Sequence, residues 1–422
     1  MKLRIEKCIY GGAGLARAEG MAVFVPYTLP GEEVEARIIE NKRSFANAEL
    51  ETVLEAASER TAPPCSYFGT CGGCQYQHAM YARQVDLKRS ILLETLERAR
   101  LKDLPEIVPV YAEPLGYRNR VRLHLQRKPF ALCYKRRASH QNLPVEGCPI
   151  AAPVLEEALT VITRIGSDFQ LAEDFEEIEF FTNESQNELL VSLWVRQRTQ
   201  STHDKLAQFC EVARRELPIL TGAAIFSNDE HQDQKLFAWG AQSLTYHVAG
   251  HPYEVSIGAF FQVNRFLVDN LLALVTDGHA GKIAWDLYAG VGLFARRLSE
   301  HFEEVIAVEA SSYSSHDLRK NLTAGKHKSI QNGTLEFLRR PVSKVPELVV
   351  VDPPRSGLGQ EVTSLLTKVR PKTIVYVSCD PATLSRDLQA LVESGYHLRN
   401  MHMVDLFPQT FHLESVSVLS LG

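Results

Sequence analysis

The pattern of apolar and polar positions changes near residue 256 of the 422-residue chain. After this point, apolar runs of strand length, such as those that end at Asp352 and at Cys379, alternate with segments of helical periodicity. Strands that are apolar at nearly every position are typical of parallel sheets with helices on both faces. Residues 256–422 are therefore predicted to form an α/β domain with a doubly wound parallel sheet.

The first part of the chain has a different pattern. Residues 1–58 contain short segments of alternating polarity, separated by glycine and proline turns, and predict a small β-barrel. Barrels of this kind often carry RNA on one face, and a packed accessory module is the alternative. Residues 59–255 combine a helical pattern over residues 80–101 with later strand patterns, and predict an α+β middle domain.

Composition is that of a globular protein, with 45% hydrophobic and 23% charged residues and no apolar run as long as a membrane span. The N-terminus has no uninterrupted apolar segment, so no secretory signal is predicted. We therefore expect a cytoplasmic protein without a membrane partner. Reducing conditions there favour metal or catalytic roles over disulfides for the eight cysteines.

Basic residues are concentrated in one segment, although the formal net charge is -5. Residues 115–145 contain eight Lys or Arg, no acidic residue and several interleaved aromatic residues. Cations for phosphates and rings for unpaired bases are what single-stranded RNA recognition needs, whereas a solvated face is the alternative. The candidate RNA-binding residues are Arg118, Arg120, Arg122, Lys135, Arg136 and Arg137.

A glycine-containing turn follows the first strand pattern of the α/β region. Gly290 and Gly292 allow a ligand to approach the backbone, and Glu309 ends the next strand, where a carboxylate often accepts hydrogen bonds from ribose. The same glycines satisfy the dinucleotide fingerprint, so a nicotinamide or flavin enzyme remains an alternative. Asp352 ends another strand and is predicted to lie at the same ligand-binding edge.

Cys379 ends a strand and precedes a helical pattern. We expect its sulfur to lie near a helix N-terminus, where the helix dipole favours the thiolate, although buried packing is the usual role of a lone cysteine. Glu414 precedes the final strand pattern and is a candidate general base. A solvated loop is the alternative for Glu414, because sequence distance does not place it beside Cys379.

Three cysteines lie within ten residues, at Cys65, Cys71 and Cys74, and Cys148 follows downstream. Four thiolates can bind either an iron–sulfur cluster or zinc. The spacing differs from the paired C-x-x-C of zinc ribbons and favours the cluster. The remaining residues Cys8, Cys133 and Cys210 are predicted to pack in cores.

Six segments, in this order, resemble those of the iron–sulfur RNA 5-methyluridine methyltransferases that use S-adenosylmethionine. They are CSYFGTCGGCQYQH, GAFFQVN, DLYAGVGLF, VVVDPPRSG, YVSCDPATLSRDL and FPQTFHLES. The resemblance is nearest to the bacterial 23S ribosomal RNA branch, with the transfer RNA uracil-54 enzymes as close relatives.

The resemblance implies a TRAM-type OB-fold barrel over residues 1–58, an iron–sulfur domain over residues 59–255 and a Rossmann-like methyltransferase domain over residues 256–422. It further implies that the helix near residues 84–100 packs with the catalytic domain. It places a [4Fe-4S] cluster on the four cysteines, Cys379 as the nucleophile and Glu414 as the proton-abstracting base. The cofactor contacts that it implies are Gln262, Tyr288, Glu309 and Asp352.

The expected activity is methyl transfer from S-adenosylmethionine to carbon 5 of a uridine in 23S ribosomal RNA or transfer RNA, by a monomeric enzyme. A nucleotide-dependent iron–sulfur oxidoreductase and a non-enzymatic RNA-binding scaffold are the competing hypotheses.

Overall fold

The structure is a computed structural model that describes residues 1–196, 201–227, 233–322, 325–341 and 344–422. None of the helices within these ranges combines the length and apolarity needed to span a bilayer. The chain forms an N-terminal barrel, a central mixed sheet and a C-terminal sheet with helices on both faces.

The N-terminal unit is a closed five-stranded barrel. Its strands are β1 (Lys2–Cys8), β2 (Ala13–Ala18), β3 (Met21–Pro26), β4 (Glu33–Asn41) and β5 (Phe45–Glu55). The strand order is β1-β2-β3-β5-β4, and pairing of β1 with β4 closes the barrel. Leu3 and Ile5 point inward between exposed neighbours because side chains alternate along a strand. The barrel predicted from the alternating pattern is confirmed.

After the barrel, a long loop leads into α1 (Tyr81–Arg98) and the short strand β6 (Ile107–Val110). The central sheet follows. Its strands are β7 (Arg120–Gln126), β8 (Ala131–Lys135), β9 (Asn142–Pro144), β10 (Phe175–Thr182), β11 (Leu189–Val195), β12 (Leu220–Ser227) and β13 (Gln234–Gly240). Its helices are α2 (Pro153–Gly166), α3 (Leu171–Asp174) and α4 (Ser201–Glu216), and a hairpin of β14 (Ser243–Val248) and β15 (His251–Ser256) follows.

The central sheet is covered on both faces. Its strand order is β13-β12-β11-β10-β7-β8-β9. Every residue of β11 is buried. Val191 and Leu193 pack with α2 and α4, whereas Leu190 and Trp194 on the other face enter the core of the C-terminal unit. The central and C-terminal units therefore share a hydrophobic interface.

The C-terminal unit contains an eight-stranded sheet in the order β18-β17-β16-β19-β20-β22-β21-β6. Its further strands are β16 (Gly281–Leu287), β17 (Phe302–Glu309), β18 (Lys328–Gln331), β19 (Leu348–Val351), β20 (Thr373–Ser378), β21 (Tyr396–Val404) and β22 (Glu414–Leu421). Its helices are α5 (Val268–Thr276), α6 (Leu293–Leu298), α7 (Ser312–Asn321), α8 (Thr334–Leu338), α9 (Gly359–Val369) and α10 (Pro381–Glu393).

Strands β16 to β20 are mutually parallel, as the apolar runs predicted. Their side chains enter two cores, with Val350 on one face of the sheet and Val349 and Val351 on the other. The expectation of a purely parallel sheet is wrong for β22, which is antiparallel to both β20 and β21. The segment 405–413 between β21 and β22 is too short for a crossover connection, so these two strands form a hairpin.

Helix α1 packs with the C-terminal unit although it precedes the central sheet in the chain. Its apolar residues Val85, Leu92 and Leu96 lie in the same core as β19 and β20. The following strand, β6, pairs in parallel with β21 at the edge of the sheet. The segment from α1 to β6 is therefore structurally part of the C-terminal unit.

A buried ion pair joins α1 to the 405–413 segment. Lys88 Nζ lies 2.6 Å from Asp405 Oδ1, and the two side chains are 1% and 0% exposed. Lys88 also donates to the Phe407 carbonyl at 2.9 Å, and the Tyr81 hydroxyl donates to Asp405 at 3.0 Å. Burial lowers the pKa of Lys88, and the charge of Asp405 opposes that shift. This network fixes the segment that leads into β22.

We predict that Lys88→Met lowers the free energy of unfolding by about 3–5 kcal/mol, because it leaves the Asp405 carboxylate buried without a counter-charge. Urea unfolding measures this cost. Lys7→Met is the control: it breaks the solvent-exposed pair with Glu94 and should cost at most about 1 kcal/mol. Equal costs for the two variants would contradict the assignment.

Candidate active site

A cavity of about 610 Å³ opens at the carboxyl ends of the parallel strands. Its lining includes seven of the residues singled out from the sequence, namely Gln262, Tyr288, Gly290, Glu309, Asp352, Cys379 and Glu414. Strands β17, β16, β19 and β20 are neighbours in the sheet, and each ends at or next to one of these residues. Parallel strands end at one edge, so the sheet itself gathers these side chains.

The turn after β16 forms one wall of the cavity. Gly290 has a φ of 55° and no heavy atom within 4 Å of the position where a Cβ would lie. Its N–H donates to Glu309 Oε2 at 2.9 Å, and the Ser311 N–H donates to the other carboxylate oxygen at 2.7 Å. Glu309 is thus held rigidly at the cavity wall by backbone donors.

Gly292 lies in the same turn. A Cβ at this position would lie 2.7 Å from Leu318 Cδ1, and its φ is 91°. Glycine therefore permits close packing of α7 against the turn. Gly292 is not among the residues that line the cavity, and its cofactor contact stays a prediction.

Cys379 and Glu414 are brought together by the pairing of β20 with β22. Ser378 and Ser415 are direct partners in this antiparallel ladder, and the Ser415 hydroxyl donates to the Ser378 carbonyl at 3.3 Å. Cys379 follows Ser378 and Glu414 precedes Ser415, so both lie at the same end of the ladder. The cavity contains both side chains. The solvated-loop alternative for Glu414 is wrong, because Glu414 is 6% exposed.

The expectation that a helix N-terminus favours the Cys379 thiolate is wrong for the free protein. Burial, together with the nearby charges of Glu414 and Asp352, raises the pKa of Cys379 from 9.0 to about 12. The first N–H groups of α10 are already engaged, since Asp380 Oδ1 accepts from Ala382 and Thr383 at 3.0 Å. The side chain of Asp380 thus caps the helix in place of the thiolate.

Two of the three carboxyl groups that line the cavity are poorly solvated. Burial raises the pKa of Asp352 to about 7, and burial together with the charge of Asp352 raises the pKa of Glu414 well above its usual range. Arg355 is a positively charged residue that lines the cavity near these carboxyl groups, and its guanidinium contacts the His412 ring at 3.3 Å. A cavity with several acids and one arginine favours a positively charged ligand.

Two lining residues were not identified as site residues from the sequence. Phe260 is 62% exposed at the cavity although it is a large apolar side chain. Arg355 follows the two prolines after β19. Both lie within the segments that carry the family resemblance. Their position in these segments is the signal that could have identified them from the sequence.

The four predicted cluster cysteines lie near one another. Cys65, Cys71 and Cys74 are in the loop before α1, and the charges of Cys65 and Cys148 each raise the pKa of Cys71. Cys148 likewise affects Cys74. In the part of the chain that the structure describes, no three His, Cys, Asp or Glu side chains have the arrangement of a metal site. The other three cysteines, at 8, 133 and 210, are buried as predicted.

The chemistry of the cysteine loop fits an anionic group. Arg118 lies beside it: burial raises the pKa of Cys74 and of Cys148, and the charge of Arg118 opposes that shift. The Arg118 Nε is buried and has no hydrogen-bond partner within the described residues. The Gly73 N–H approaches Cys71 Sγ at 3.4 Å. Four thiols with one unpaired guanidinium nitrogen suit a thiolate-bound cluster, whose negative charge needs such donors.

The basic segment divides into two groups in the structure. Arg120 donates to the Ala259 carbonyl at 2.8 Å and lies over the Phe181 ring, and Arg122 lies over the Trp194 ring at 3.5 Å. These two residues have partners inside the protein. Lys135 and Arg136 lie at the end of β8, where Arg136 is exposed.

Comparison with known proteins identifies relatives among the RNA methyltransferases. The model of the TRAM domain matches residues 2–50, and the model of the tRNA (uracil-5-)-methyltransferase family matches residues 343–421. An uncharacterized RNA methyltransferase of Aquifex aeolicus is 33% identical over 100% of this chain and 98% of its own length. The 23S rRNA (uracil(1939)-C(5))-methyltransferase RlmD of Enterobacter sp. is 31% identical over 97% of this chain and 94% of its own length.

A solved structure has the same fold. The tRNA (uracil-54, C5)-methyltransferase of Pyrococcus abyssi, in complex with S-adenosyl-L-homocysteine, matches 99% of this chain and 100% of its own chain with a TM-score of 0.79 and 21% identity. The fold is that of an S-adenosylmethionine-dependent methyltransferase. The chain belongs to the family of RNA uracil-C5 methyltransferases. The expectation of an RNA uracil-C5 methyltransferase is thus confirmed, its iron–sulfur part stays a prediction, and the oxidoreductase and scaffold hypotheses are set aside.

We predict that Asp352→Asn accelerates alkylation of Cys379 by iodoacetamide at pH 9 in the RNA-free protein. Asp352, with a pKa raised to about 7, is ionised at this pH, and removing its negative charge lowers the thiol pKa, so a larger fraction is thiolate. Peptide-resolved mass spectrometry separates Cys379 from the other cysteines. Glu361→Gln, at an exposed site on α9, serves as the control. An unchanged or slower reaction in Asp352→Asn would contradict the charge coupling.

Proposed function

We propose that this enzyme methylates carbon 5 of a uridine in 23S ribosomal RNA through a covalent bond between Cys379 and carbon 6 of the base. The observation that carries the proposal is that Cys379 and Glu414 face one cavity with the strand ends that bear Glu309 and Asp352. The ribosomal substrate is supported by relatives of 23S specificity that match nearly the full chain. Transfer RNA is the second candidate, because the matching family model carries that description.

Cys379 and Glu414 have different roles in the proposed reaction. Carbon 5 of uracil is a weak nucleophile, and addition of the Cys379 thiolate to carbon 6 makes carbon 5 electron-rich. S-adenosylmethionine, when bound, supplies the electrophilic methyl group that carbon 5 takes. Glu414 then removes the proton from carbon 5, and elimination of the Cys379 sulfur restores the aromatic base and the free enzyme.

The raised pKa of Cys379 sets when the nucleophile forms. A thiol with a pKa of about 12 is not ionised in the resting enzyme near neutral pH. We infer that ionisation waits for ligands, because a cationic cofactor beside Asp352 favours the anionic forms of the neighbouring acids. A resting thiol is also a poor target for oxidants, since the thiolate is the reactive form.

Cofactor contacts are proposed at Gln262, Tyr288, Gly290, Glu309 and Asp352, which all line the cavity. Glu309, fixed by two backbone N–H groups, is suited to accept hydrogen bonds from ribose. The exposed ring of Phe260 at the cavity offers a stacking surface for a base that has left its stack.

RNA contacts outside the cavity are proposed for Lys135, Arg136 and Arg137. Arg136 is exposed, and Arg137 lies 5.2 Å from the ring of Tyr27 in the barrel. This places cations where the barrel meets the central unit. Arg118 and Arg120 are less suited to bind RNA. Arg118 lies beside the cysteine loop, and Arg120 donates to the Ala259 carbonyl and lies over the Phe181 ring.

We also propose that Cys65, Cys71, Cys74 and Cys148 hold a [4Fe-4S] cluster. The support is the approach of four thiols from distant parts of the chain and the unpaired Arg118 Nε beside them. On this proposal, residues 59–255 form the iron–sulfur domain, between a barrel of residues 1–58 and a catalytic domain of residues 256–422 to which α1 also belongs.

The function is tested with the full-length enzyme, S-adenosylmethionine carrying a labelled methyl group, and fragments of 23S ribosomal RNA and transfer RNA. We expect methyl transfer to carbon 5 of a uridine in the ribosomal fragment, and none with Cys379→Ala. Glu414→Gln should form the covalent RNA adduct and stall, because the base for the last proton is absent. Methylation by Cys379→Ala would refute the covalent mechanism, and exclusive modification of transfer RNA would refute the ribosomal assignment.

The cluster is tested by iron and sulfide analysis of protein purified without oxygen. We expect about four iron atoms and four sulfides per chain, as a [4Fe-4S] cluster requires. Cys148→Ser should lose the iron, whereas Cys133→Ser, which alters a buried cysteine of β8, should keep it. Zinc in place of iron, or equal loss in both variants, would contradict the proposal.

A further inference from the structure

The turn between the first two barrel strands reaches the active site. Tyr10 lies in this turn, and its hydroxyl approaches the carbonyl oxygen of Cys379 at 3.5 Å. Burial raises the pKa of Tyr10, and the charge of the nearby Asp380, the residue that caps α10, raises it as well. The contact between Tyr10 and the Cys379 carbonyl joins residues that are 369 positions apart in the chain.

The ring of Tyr10 has a separate contact. It meets the ring of Phe411 edge to face, with 5.4 Å between centroids and an interplanar angle of 87°. Phe411 in turn packs on His412 at 4.1 Å between centroids, and His412 lines the cavity. The ring and the hydroxyl of one tyrosine therefore touch both segments that carry the catalytic residues.

The turn between β1 and β2 packs closely against the cysteine loop and the 405–413 segment. Gly12 has a φ of 88°, and a Cβ there would lie 2.7 Å from the Cβ of Gln75 and 3.5 Å from that of Phe411. Gln75 Oε1 also accepts from the Phe411 N–H at 3.2 Å. Glycine is required here because both the backbone conformation and the space exclude a side chain. The barrel turn, the cysteine loop and the 405–413 segment thus meet at one point.

We propose that Tyr10 is a positioning residue for methyl transfer, which holds the turn carrying Cys379 in the orientation that attacks the base. The proposal rests on the proposed role of Cys379 as the nucleophile. The physical argument is that Cys379 lies between the last strand residue and the helix cap, and Tyr10 contacts its carbonyl with the hydroxyl while its ring packs on Phe411. A barrel otherwise expected only to bind RNA therefore contributes directly to the geometry of the reacting atom.

Tyr10→Phe tests the proposal because it removes the hydroxyl and keeps the ring against Phe411. Tyr396→Phe is the matched control: its hydroxyl donates to the Pro371 carbonyl at 2.9 Å, and neither residue lines the cavity. The measurements are the single-turnover rate of adduct formation with RNA that contains 5-fluorouridine, the RNA dissociation constant and the melting temperature, all on the full-length enzyme.

We expect Tyr10→Phe to form the adduct roughly fivefold more slowly, the effect of losing one hydrogen bond to a carbonyl, with an unchanged RNA dissociation constant. Tyr396→Phe should react at the wild-type rate. Alkylation of Cys379 by iodoacetamide in RNA-free Tyr10→Phe should also differ from the wild type at equal melting temperature, which a merely structural role would not produce.

Three results would overturn the proposal. A wild-type adduct rate in Tyr10→Phe would remove the positioning role. A slower rate explained by weaker RNA binding would make Tyr10 an RNA contact instead. An equal slowing in Tyr396→Phe would reduce the effect to general destabilisation. Failure of the underlying function is distinct, since it would show as methylation by Cys379→Ala.

Discussion

The antiparallel pairing of β20 with β22 is the constraint on which the rest of the site depends. Ser378 and Ser415 are direct partners, so the residues just beyond them, Cys379 and Glu414, lie at the same end of the ladder. A shift of β22 by one residue in this register would turn the Glu414 side chain to the opposite face of the sheet. The proposed nucleophile and base are therefore positioned by backbone hydrogen bonds of a buried strand pair, which is a rigid support.

Neighbouring elements stabilise the 405–413 segment, which leads into this strand pair. Lys88 of α1 binds Asp405 and the Phe407 carbonyl, and Gln84 exchanges two hydrogen bonds with Gln409, at 2.9 and 3.0 Å. Helix α1 precedes the central unit in sequence but packs with the C-terminal sheet. The 405–413 segment is therefore held in place by residues from a much earlier part of the chain. The barrel adds its contact through Tyr10. The active site is consequently a property of the whole chain and not of the last third alone.

The sequence predicted those features that depend on local pattern. Alternating polarity indicated the barrel, and runs of apolar residues indicated the parallel strands whose ends carry Glu309, Asp352 and Cys379. Strand pairing across a hairpin is a tertiary outcome, so the neighbourhood of Cys379 and Glu414 was left open. The raised pKa of Cys379 was missed for the same reason, because burial and nearby carboxylates outweigh a helix terminus that Asp380 already caps. From the sequence, Arg120 could not be distinguished from a surface cation, because its partners in the protein are visible only in the structure.

The most direct test is a crystal structure of the enzyme with an RNA oligonucleotide in which 5-fluorouridine replaces the target uridine, formed in the presence of S-adenosylmethionine. Fluorine at carbon 5 cannot leave as a proton, so the covalent state persists. We predict a bond from Cys379 Sγ to carbon 6, a methyl group on carbon 5 and the Glu414 carboxylate facing that carbon. A methylated base without a bond to Cys379, or with Glu414 turned away from carbon 5, would contradict the account.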